Sequence, residues 1–210
     1  MPMLQKKLKT DVLNLLNYSM RKLLFIFLLF PIVGIAQNWE QIIIASGSDS
    51  SNPMFLTEFN GELYFSARGS NVSGIGNELY KTNGTQMGTT LVMNLNPNFS
   101  AGSFPSNFTV FNGELYFTAD DGVHGRELFK TNGTTISLVK DIKTGNDSST
   151  SLSDNSLVFH ELNGFLYFFA EDINGQGADL WKTDGTSAGT VKVLELNTNE
   201  ITGKLQYFKK

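Results

Sequence analysis

The sequence of 210 residues contains no cysteine, only two histidines and few charged residues, 17% of the total. The absence of cysteine excludes a disulfide scaffold, a thiolate zinc site and a lipid-modified cysteine. The histidines occupy unrelated positions, which argues against a histidine metal site and a Ser-His-Asp hydrolase. Because 40% of the residues are apolar, the chain is not a disordered tail.

Long apolar runs are also lacking, and the longest, residues 23–35, is shorter than the roughly 18 residues that a spanning helix needs. The basic pair Arg21 and Lys22 precedes it, and small residues follow it. This pattern predicts a secretory signal peptide over residues 1–36, with Met20 as an alternative start, and makes a membrane anchor the weaker interpretation. We therefore expect a secreted or cell-surface protein without stable membrane insertion after cleavage.

The charge balance becomes more acidic once the leader is removed. Residues 1–36 hold five basic residues and one acidic residue, so residues 37–210 have 16 − 5 = 11 basic and 20 − 1 = 19 acidic residues, a net charge of −8. An acidic surface repels phosphate backbones, which excludes nucleic acid as a partner. The same charge suits solubility outside the cell or the attraction of cations.

Two short sequence blocks recur three times, in the same order, along the rest of the chain. The first reads Phe-Asn-Gly-Glu-Leu-Tyr-Phe and the second Glu-Leu-Tyr-Lys-Thr-Asn-Gly-Thr in their first copies, which indicates an internal structural repeat. The first block occupies residues 59–65, 111–117 and 162–168, and the second occupies 78–85, 127–134 and 179–186. The motif residues of the second block are Glu78, Leu79, Tyr80, Gly84, Glu127, Leu128, Phe129, Gly133, Asp179, Leu180, Trp181, Asp184 and Gly185.

Each copy of the first block predicts a β-hairpin. Asn-Gly between two apolar runs favours a type I′ turn, in which both central residues take positive φ. In the middle copy, Phe111 then faces Glu114, Val110 faces Leu115, and alternation places one set of side chains on a common face. That set is Phe108, Val110, Leu115 and Phe117 in the middle copy, Leu56, Leu63 and Phe65 in the first, and Phe159, Leu166 and Phe168 in the third.

The second block predicts another hairpin, which gives four short strands in each unit of about 50 residues. The return strands are expected at residues 90–95, 136–142 and 191–196. Four antiparallel strands per repeat predict an all-β fold of propeller-like blades, with another antiparallel repeat or a β-sandwich as alternatives. The predicted repeats span residues 53–103, 104–155 and 156–199, followed by a partial fourth at 200–210.

The second block resembles the ELWxxDGT repeat of secreted bacterial proteins. Its third copy, which begins at Asp179, departs from that pattern only in its first residue, whereas Tyr80 and Phe129 replace the tryptophan in the other copies. The resemblance covers residues 38–208. It implies an exported or surface-displayed repeat protein, often with a C-terminal sorting domain, and no defined catalytic activity, so we expect no cofactor.

Three full units are fewer than the four to eight blades that typically close a propeller. Residues 40–45 resemble the last strand of a preceding unit, because they precede the first hairpin as residues 90–95 precede the second. Residues 202–208 resemble the start of a fourth copy. We therefore expect an N-terminal piece of a longer protein, whose remaining repeats would be its partners, or the remnant of a truncated gene.

Paired carboxylates follow the second strand of two copies, Asp120 with Asp121 and Glu171 with Asp172. Oxygen-rich turns can bind Ca²⁺. However, the first copy has Arg68 at this place, and acidic side chains also stabilise turns unaided. A structural turn is the favoured interpretation and calcium the alternative. A glycosidase pair would need two carboxyl groups about 5–9.5 Å apart across a cleft, which the sequence does not show.

The sequence predicts function less sharply than fold. We expect a non-enzymatic module for surface display, adhesion or the binding of an extracellular protein or glycan, because propeller faces present loops from several blades at once. The alternative is a fragment of a secreted carbohydrate-active propeller enzyme. The motif aromatics could stack on sugars, but their fixed repeat position favours packing between blades.

Overall fold

The computed structural model describes residues 41–45, 50–69, 74–97, 102–150, 159–174 and 177–196. The predicted signal peptide at 1–36 and the partial fourth repeat at 200–210 lie outside these ranges. Within them the chain forms twelve β-strands and no helix. Accordingly, no membrane-spanning helix is found in the described part of the chain.

The strands form three antiparallel sheets of four strands, and the strand order in each sheet follows the chain order. Sheet 1 contains β1 (Met54–Phe59), β2 (Glu62–Arg68), β3 (Asn77–Thr82) and β4 (Thr90–Met93). Sheet 2 contains β5 (Ser106–Phe111), β6 (Glu114–Asp120), β7 (Arg126–Thr131) and β8 (Ile136–Lys140). Sheet 3 contains β9 (His160–Leu162), β10 (Phe165–Ala170), β11 (Asp179–Thr183) and β12 (Val191–Leu194). The predicted all-β fold with propeller-like blades is confirmed, because each sheet is a four-stranded meander.

Asn-Gly turns join the first two strands of every sheet, as predicted. The turns are centred on Asn60-Gly61, Asn112-Gly113 and Asn163-Gly164. All six residues have positive φ, between 48° and 77°, which matches the type I′ turn that suits the twist of a hairpin. The predicted register is also observed, with Phe111 opposite Glu114 and Val110 opposite Leu115.

A β-bulge lies at the same place in the first strand of sheets 1 and 2. Residues 55–56 together oppose Phe65, and residues 107–108 together oppose Phe117. The first residue of each pair has a φ of 60° or 58°. A bulge bends the strand and increases its twist. The repeated bulges therefore give the two sheets the same shape at their first edge.

The fourth strand of each sheet is shorter than predicted. The observed ends are Met93, Lys140 and Leu194, two residues before the predicted end in every sheet. Strand pairing ends there because the next backbone N–H groups donate to buried carboxylates instead of to the neighbouring strand. The N–H of Leu95 donates to Glu78 at 3.2 Å, and that of Leu196 donates to Asp179 at 2.8 Å. The prediction is wrong for the last two residues of each strand, because carboxylate side chains replace the neighbouring strand as their hydrogen-bond partner.

The predicted leading strand is also wrong in its described part, since residues 41–45 form no strand. Ile44 instead packs against the cluster around Phe65 on sheet 1. The Gln86 side chain forms two hydrogen bonds to the backbone of Ile43, at 2.6 and 3.0 Å. Side-chain contacts, rather than a strand ladder, therefore hold this segment against sheet 1.

The core lies between consecutive sheets. We call the face that a sheet turns toward the next sheet in sequence its trailing face, and the opposite face its leading face. Between sheets 1 and 2, Phe59, Tyr64 and Leu79 pack against Leu115, Phe117, Ala119 and Phe129. Between sheets 2 and 3, Phe111, Tyr116, Leu128, Val139 and Ile142 pack against Leu166, Phe168, Ala170 and Trp181. Sheet 2 is thus covered on both faces, and β6 is continuously buried from Leu115 to Ala119.

Two residues of the predicted common face are exposed in sheet 1. Leu56 is 62% exposed and Leu63 is 40% exposed, whereas Leu115, which is equivalent to Leu63, is fully buried. Among the described residues no sheet precedes sheet 1, so its leading face lacks the cover that sheets 2 and 3 receive.

A tyrosine of one sheet packs against a motif glycine of the next. A Cβ built on Gly133 would lie 2.7 Å from the hydroxyl of Tyr64, and one built on Gly185 would lie still closer to the hydroxyl of Tyr116. Burial raises the pKa of Tyr116 to about 12. The tyrosine of the first block in one repeat therefore requires the glycine of the second block in the following repeat.

We expect Gly185→Ala to destabilise the chain more than Gly84→Ala. Both glycines have similar positive φ, 95° and 90°, so the backbone strain of alanine is comparable at the two positions. The new methyl meets a tyrosine only at Gly185, because no described residue lies within 4 Å of the Gly84 Cβ position. The free energies of unfolding should differ by about 1–3 kcal/mol in urea titrations of dilute protein. An equal loss at both positions would refute the proposed tyrosine–glycine contact.

Candidate functional site

The second sequence block forms the third strand of each sheet and the turn after it. In sheet 1 the Thr82 hydroxyl accepts the N–H of Gly84 at 3.0 Å, and the Asn83 side chain accepts the N–H of Thr85 at 3.1 Å. The same two hydrogen bonds recur in sheets 2 and 3. Side-chain oxygens that accept the N–H two residues later stabilise turns of this kind. The Lys-Thr-Asn/Asp-Gly-Thr sequence therefore encodes a turn geometry.

The first residue of the second block is a carboxylate that is buried in every copy. Glu78 and Glu127 have no exposed surface, and Asp179 is 3% exposed. Glu78 accepts three backbone N–H groups of the connector between sheets 1 and 2, at 3.0–3.3 Å. Glu127 accepts the N–H of Lys143 in the next connector at 3.0 Å. These carboxylates therefore hold the chain that leads from one sheet to the next.

A buried serine of the connector completes the first two of these sites. The Ser103 hydroxyl donates to Glu78, and the Ser149 hydroxyl donates to Glu127 at 2.5 Å. Burial raises the pKa of Glu78, and it raises that of Glu127 to about 7, although these hydrogen bonds oppose the increase. A carboxyl group with a raised pKa often marks catalysis. Neither group is exposed to a substrate, so we assign both to the connection between sheets.

The motif aromatics Tyr80, Phe129 and Trp181 are buried, with 7%, 2% and 7% of their surface exposed. Phe129 stacks on Phe117 with 6.3 Å between the ring centroids. The indole N–H of Trp181 donates to the carbonyl of Ala170 at 3.1 Å. These rings pack within and between the sheets, so they do not form an exposed platform for a sugar ring.

The first predicted carboxylate pair lies around the turn between β6 and β7. Asp120 accepts the N–H of Gly122 at 2.7 Å. Asp121 accepts the N–H groups of Val123 and His124 at 2.9 and 2.8 Å, and it lies 2.7 Å from the His124 ring nitrogen Nδ1. Burial alone would raise the pKa of Asp121, but these bonds hold it below its ordinary value. The hydrogen bond to Asp121 also raises the pKa of His124.

The second predicted pair follows β10 and faces lysines. Glu171 lies 3.5 Å from Lys143, and Asp172 lies 2.6 Å from Lys192. Lys192 also contacts Asp179 at 2.7 Å. The hydrogen bond from Lys192 lowers the pKa of Asp172, and the bonds to Asp172 and Asp179 raise the pKa of Lys192. Each predicted pair therefore has a cationic or ionisable side chain of the protein beside it.

The two turns do not bring a metal-ligand set together within the described ranges. No group of three or more His, Asp or Glu side chains there has the arrangement of a metal site. Calcium binding stays a prediction, in which the ion would compete with His124 and Lys192 for the carboxylates. The turns instead expose aliphatic tips, since Val123 is 63% exposed and Ile173 is 70% exposed.

Arg126 is a buried charge that the sequence reasoning missed. It is 2% exposed, and its guanidinium donates to the hydroxyls of Ser106 and Thr118 at 3.1 and 3.0 Å and to the carbonyls of Ser103 and Phe104. Burial lowers its pKa to about 10. Its Nε atom has no hydrogen-bond partner among the described residues. The one sequence signal is that this repeat alone places an arginine directly before its second block.

No protein-family model and no curated protein sequence matches this chain. Among solved structures, it is similar to an α-L-arabinofuranosidase from Clostridium thermocellum ATCC 27405, with 14% sequence identity and a TM-score of 0.33 over 74% of this chain. The chain spans 54% of that structure, about half of its length. A likeness of this size carries no argument about activity.

We expect Glu127→Gln to remove a pH-dependent loss of stability. The pKa of Glu127 is about 7 in the folded chain against an ordinary value of 4.5, so protonation favours the folded state. Its contribution is fully present below pH 4.5 and is lost as the pH rises through about 7. At about 1.4 kcal/mol per pH unit, the loss amounts to about 3 kcal/mol. Urea unfolding of wild type and variant between about pH 5 and pH 8 measures it.

Glu114→Gln provides the matched control for this experiment. Glu114 is the first residue of β6 in the same sheet. It pairs with Lys130 at 2.7 Å and keeps 30% of its side chain exposed. Its substitution removes the same charge without touching the connector. Parallel stability curves for wild type and Glu127→Gln across this pH range would contradict the buried-carboxylate interpretation.

We expect Asp121→Asn to lower the pKa of His124 toward its ordinary value, because the variant removes the charged acceptor of the His124 ring. Proton NMR titration follows both histidines of the chain, and the His160 signal on β9 serves as the internal control. Because a structural turn is favoured, added Ca²⁺ should leave the His124 titration of the wild type unchanged. A Ca²⁺-dependent fall that Asp121→Asn abolishes would support the calcium alternative.

Proposed function

We propose that the chain is an exported, non-enzymatic β-repeat module of the ELWxxDGT type that serves in adhesion by binding an extracellular protein. The observation that carries this proposal is the burial of the repeated residues. The motif carboxylates and aromatics lie between or within sheets, and the motif glycines lie in structural turns. The repeated residues therefore support the scaffold, which leaves recognition to residues that differ between the repeats.

The turns that follow the second strand, at 121–125 and 171–174, are among the segments that differ between the repeats. Their exposed tips, Val123 and Ile173, lie in the same turns as Asp121 and Asp172. Exposed aliphatic tips of this kind suit an apolar patch on a partner protein. The buried positions of the motif aromatics favour a protein over a glycan, because sugar rings stack on exposed aromatic faces.

The experiment compares adhesion of the wild type and two sets of variants to surfaces coated with fibronectin, collagen or arabinoxylan. Val123→Ser combined with Ile173→Ser should reduce retention on a protein-coated surface about tenfold if these tips are central to the contact. Met87→Ser is the matched control, because Met87 is 94% exposed but lies in the loop at the opposite end of its sheet. Mass spectrometry of the exported protein should show that it begins at Gln37.

Four outcomes would contradict the proposal. An equal loss in Met87→Ser would show non-specific apolar adhesion, and retention on arabinoxylan alone would favour glycan binding. Hydrolysis of 4-nitrophenyl glycosides that disappears in Asp121→Asn or Asp172→Asn would favour the fragment of a carbohydrate-active enzyme. Absence of retention on every surface would count against adhesion as the role.

A further inference from the structure

The trailing face of sheet 3 is an apolar face that no described sheet covers. Its apolar positions are Leu162, Tyr167, Leu180, Val193 and Leu196, which correspond to Phe111, Tyr116, Leu128, Val139 and Ile142 on sheet 2. On sheet 2 all five side chains are at most 7% exposed. On sheet 3 Leu162 and Val193 are 57% and 46% exposed, and the other three are partly exposed.

The leading face of sheet 1 is the complementary half of the same contact. Gly84 is equivalent to Gly133 and Gly185, which receive tyrosines from the preceding sheet, yet no described residue lies within 4 Å of its own Cβ position. Leu63 is 40% exposed where its equivalent Leu115 is fully buried. Within the described ranges, therefore, one tyrosine face lacks a glycine turn and one glycine turn lacks a tyrosine.

A lysine beside each tyrosine extends this equivalence. In sheet 2 the Nζ of Lys130 lies 3.9 Å from the Cβ position of Gly185 and helps to lower the pKa of the neighbouring Asp184. In sheet 3 the equivalent lysine is Lys182, which lies 4.3 Å from the centre of the Phe165 ring. Lys182 and Tyr167 are thus placed to meet an Asn/Asp-Gly turn as their counterparts in sheet 2 do.

We propose that the trailing face of sheet 3 docks on the leading face of sheet 1 in a second copy of this chain, with Tyr167 against Gly84. The interface occurs twice among the described residues, and its two unpaired halves are each present once there. Head-to-tail pairing of copies continues that interface. Two reciprocal contacts join two copies into six sheets, within the four to eight blades of closed propellers.

Residues 41–45 occupy one part of the surface that the second copy would use. Ile44 packs on the leading face of sheet 1 as Leu95 packs on that of sheet 2. Leu196, which follows β12 as Leu95 follows β4, would take this place in the docked state. Docking therefore exchanges Ile44 of one copy for Leu196 of the other, while Gly84 and Leu63 receive new contacts.

The chain has no natural cysteine, so a single introduced cysteine is the only thiol that a cross-linker can modify. Full-length chains carrying Asn83→Cys alone and Tyr167→Cys alone are purified, mixed and treated with a short bismaleimide. We expect a covalent species of twice 23.2 kDa in the mixture, and about tenfold less in either chain alone, because a head-to-tail contact joins unlike patches. The matched control is Tyr116→Cys combined with Asp184→Cys, which should cross-link within one chain.

The outcomes separate the possible occupants of this face. If the control cross-links but the mixture of single variants yields only uncross-linked chains, the proposal of a second copy is overturned. The face would then be assigned to further repeats of one polypeptide. Equal cross-linking in Tyr167→Cys alone would overturn the head-to-tail arrangement. Sedimentation equilibrium of the unmodified chain gives an independent measurement: we expect a dimer that Leu180→Asp converts to monomer, and a wild-type monomer at the highest soluble concentration would overturn the proposal.

Discussion

Each connection between sheets depends on a carboxylate that is held away from water. A buried charge without hydrogen bonds is strongly unfavourable, so Glu78 requires the three N–H groups and the serine hydroxyl that surround it. All four donors belong to the connector that leads to sheet 2. The fold of sheet 1 therefore fixes the path by which the chain enters sheet 2, and Glu127 does the same for sheet 3.

The connector serine bonds to both of the sheets that it joins. The Ser103 hydroxyl donates to Glu78 in sheet 1, and its carbonyl accepts the N–H of Asp120 at the end of β6, at 2.9 Å. Ser149 repeats this arrangement with Glu127 and with the N–H of Glu171, at 2.8 Å. These polar contacts align successive sheets so that their apolar faces meet. Stability then accumulates through contacts between neighbours, as in other repeat proteins.

The features that could be predicted from the sequence are those in which local chemistry decides the structure. Asn112-Gly113 takes the positive φ that a type I′ turn needs, and the register of the hairpin follows from it. The deep burial of Glu127 could not be predicted, because its hydrogen-bond donors lie 16 and 22 residues further along the chain. The bulge at Phe55 has no local signal either, since phenylalanine rarely adopts positive φ.

The candidate site was predictable only in part for the same reason. The sequence predicted that Asp121 and Asp172 lie in turns. It did not predict which side chains pair with their carboxylates. His124 is a local partner, three residues from Asp121, whereas Lys192 reaches Asp172 from another strand. The long-range partner depends on the register of β12 against β11, which shifts between Leu180 and Trp181 and which a pattern of residue types does not specify.

The use of the motif residues as scaffold has a consequence for function. A sequence pattern that recurs because it closes a turn and buries a carboxylate predicts architecture, and it carries no information about what the architecture binds. The information about ligands must then lie in residues that packing does not constrain. Val123 and Ile173 meet that condition, since both are exposed apolar side chains at turns whose sequences differ between repeats.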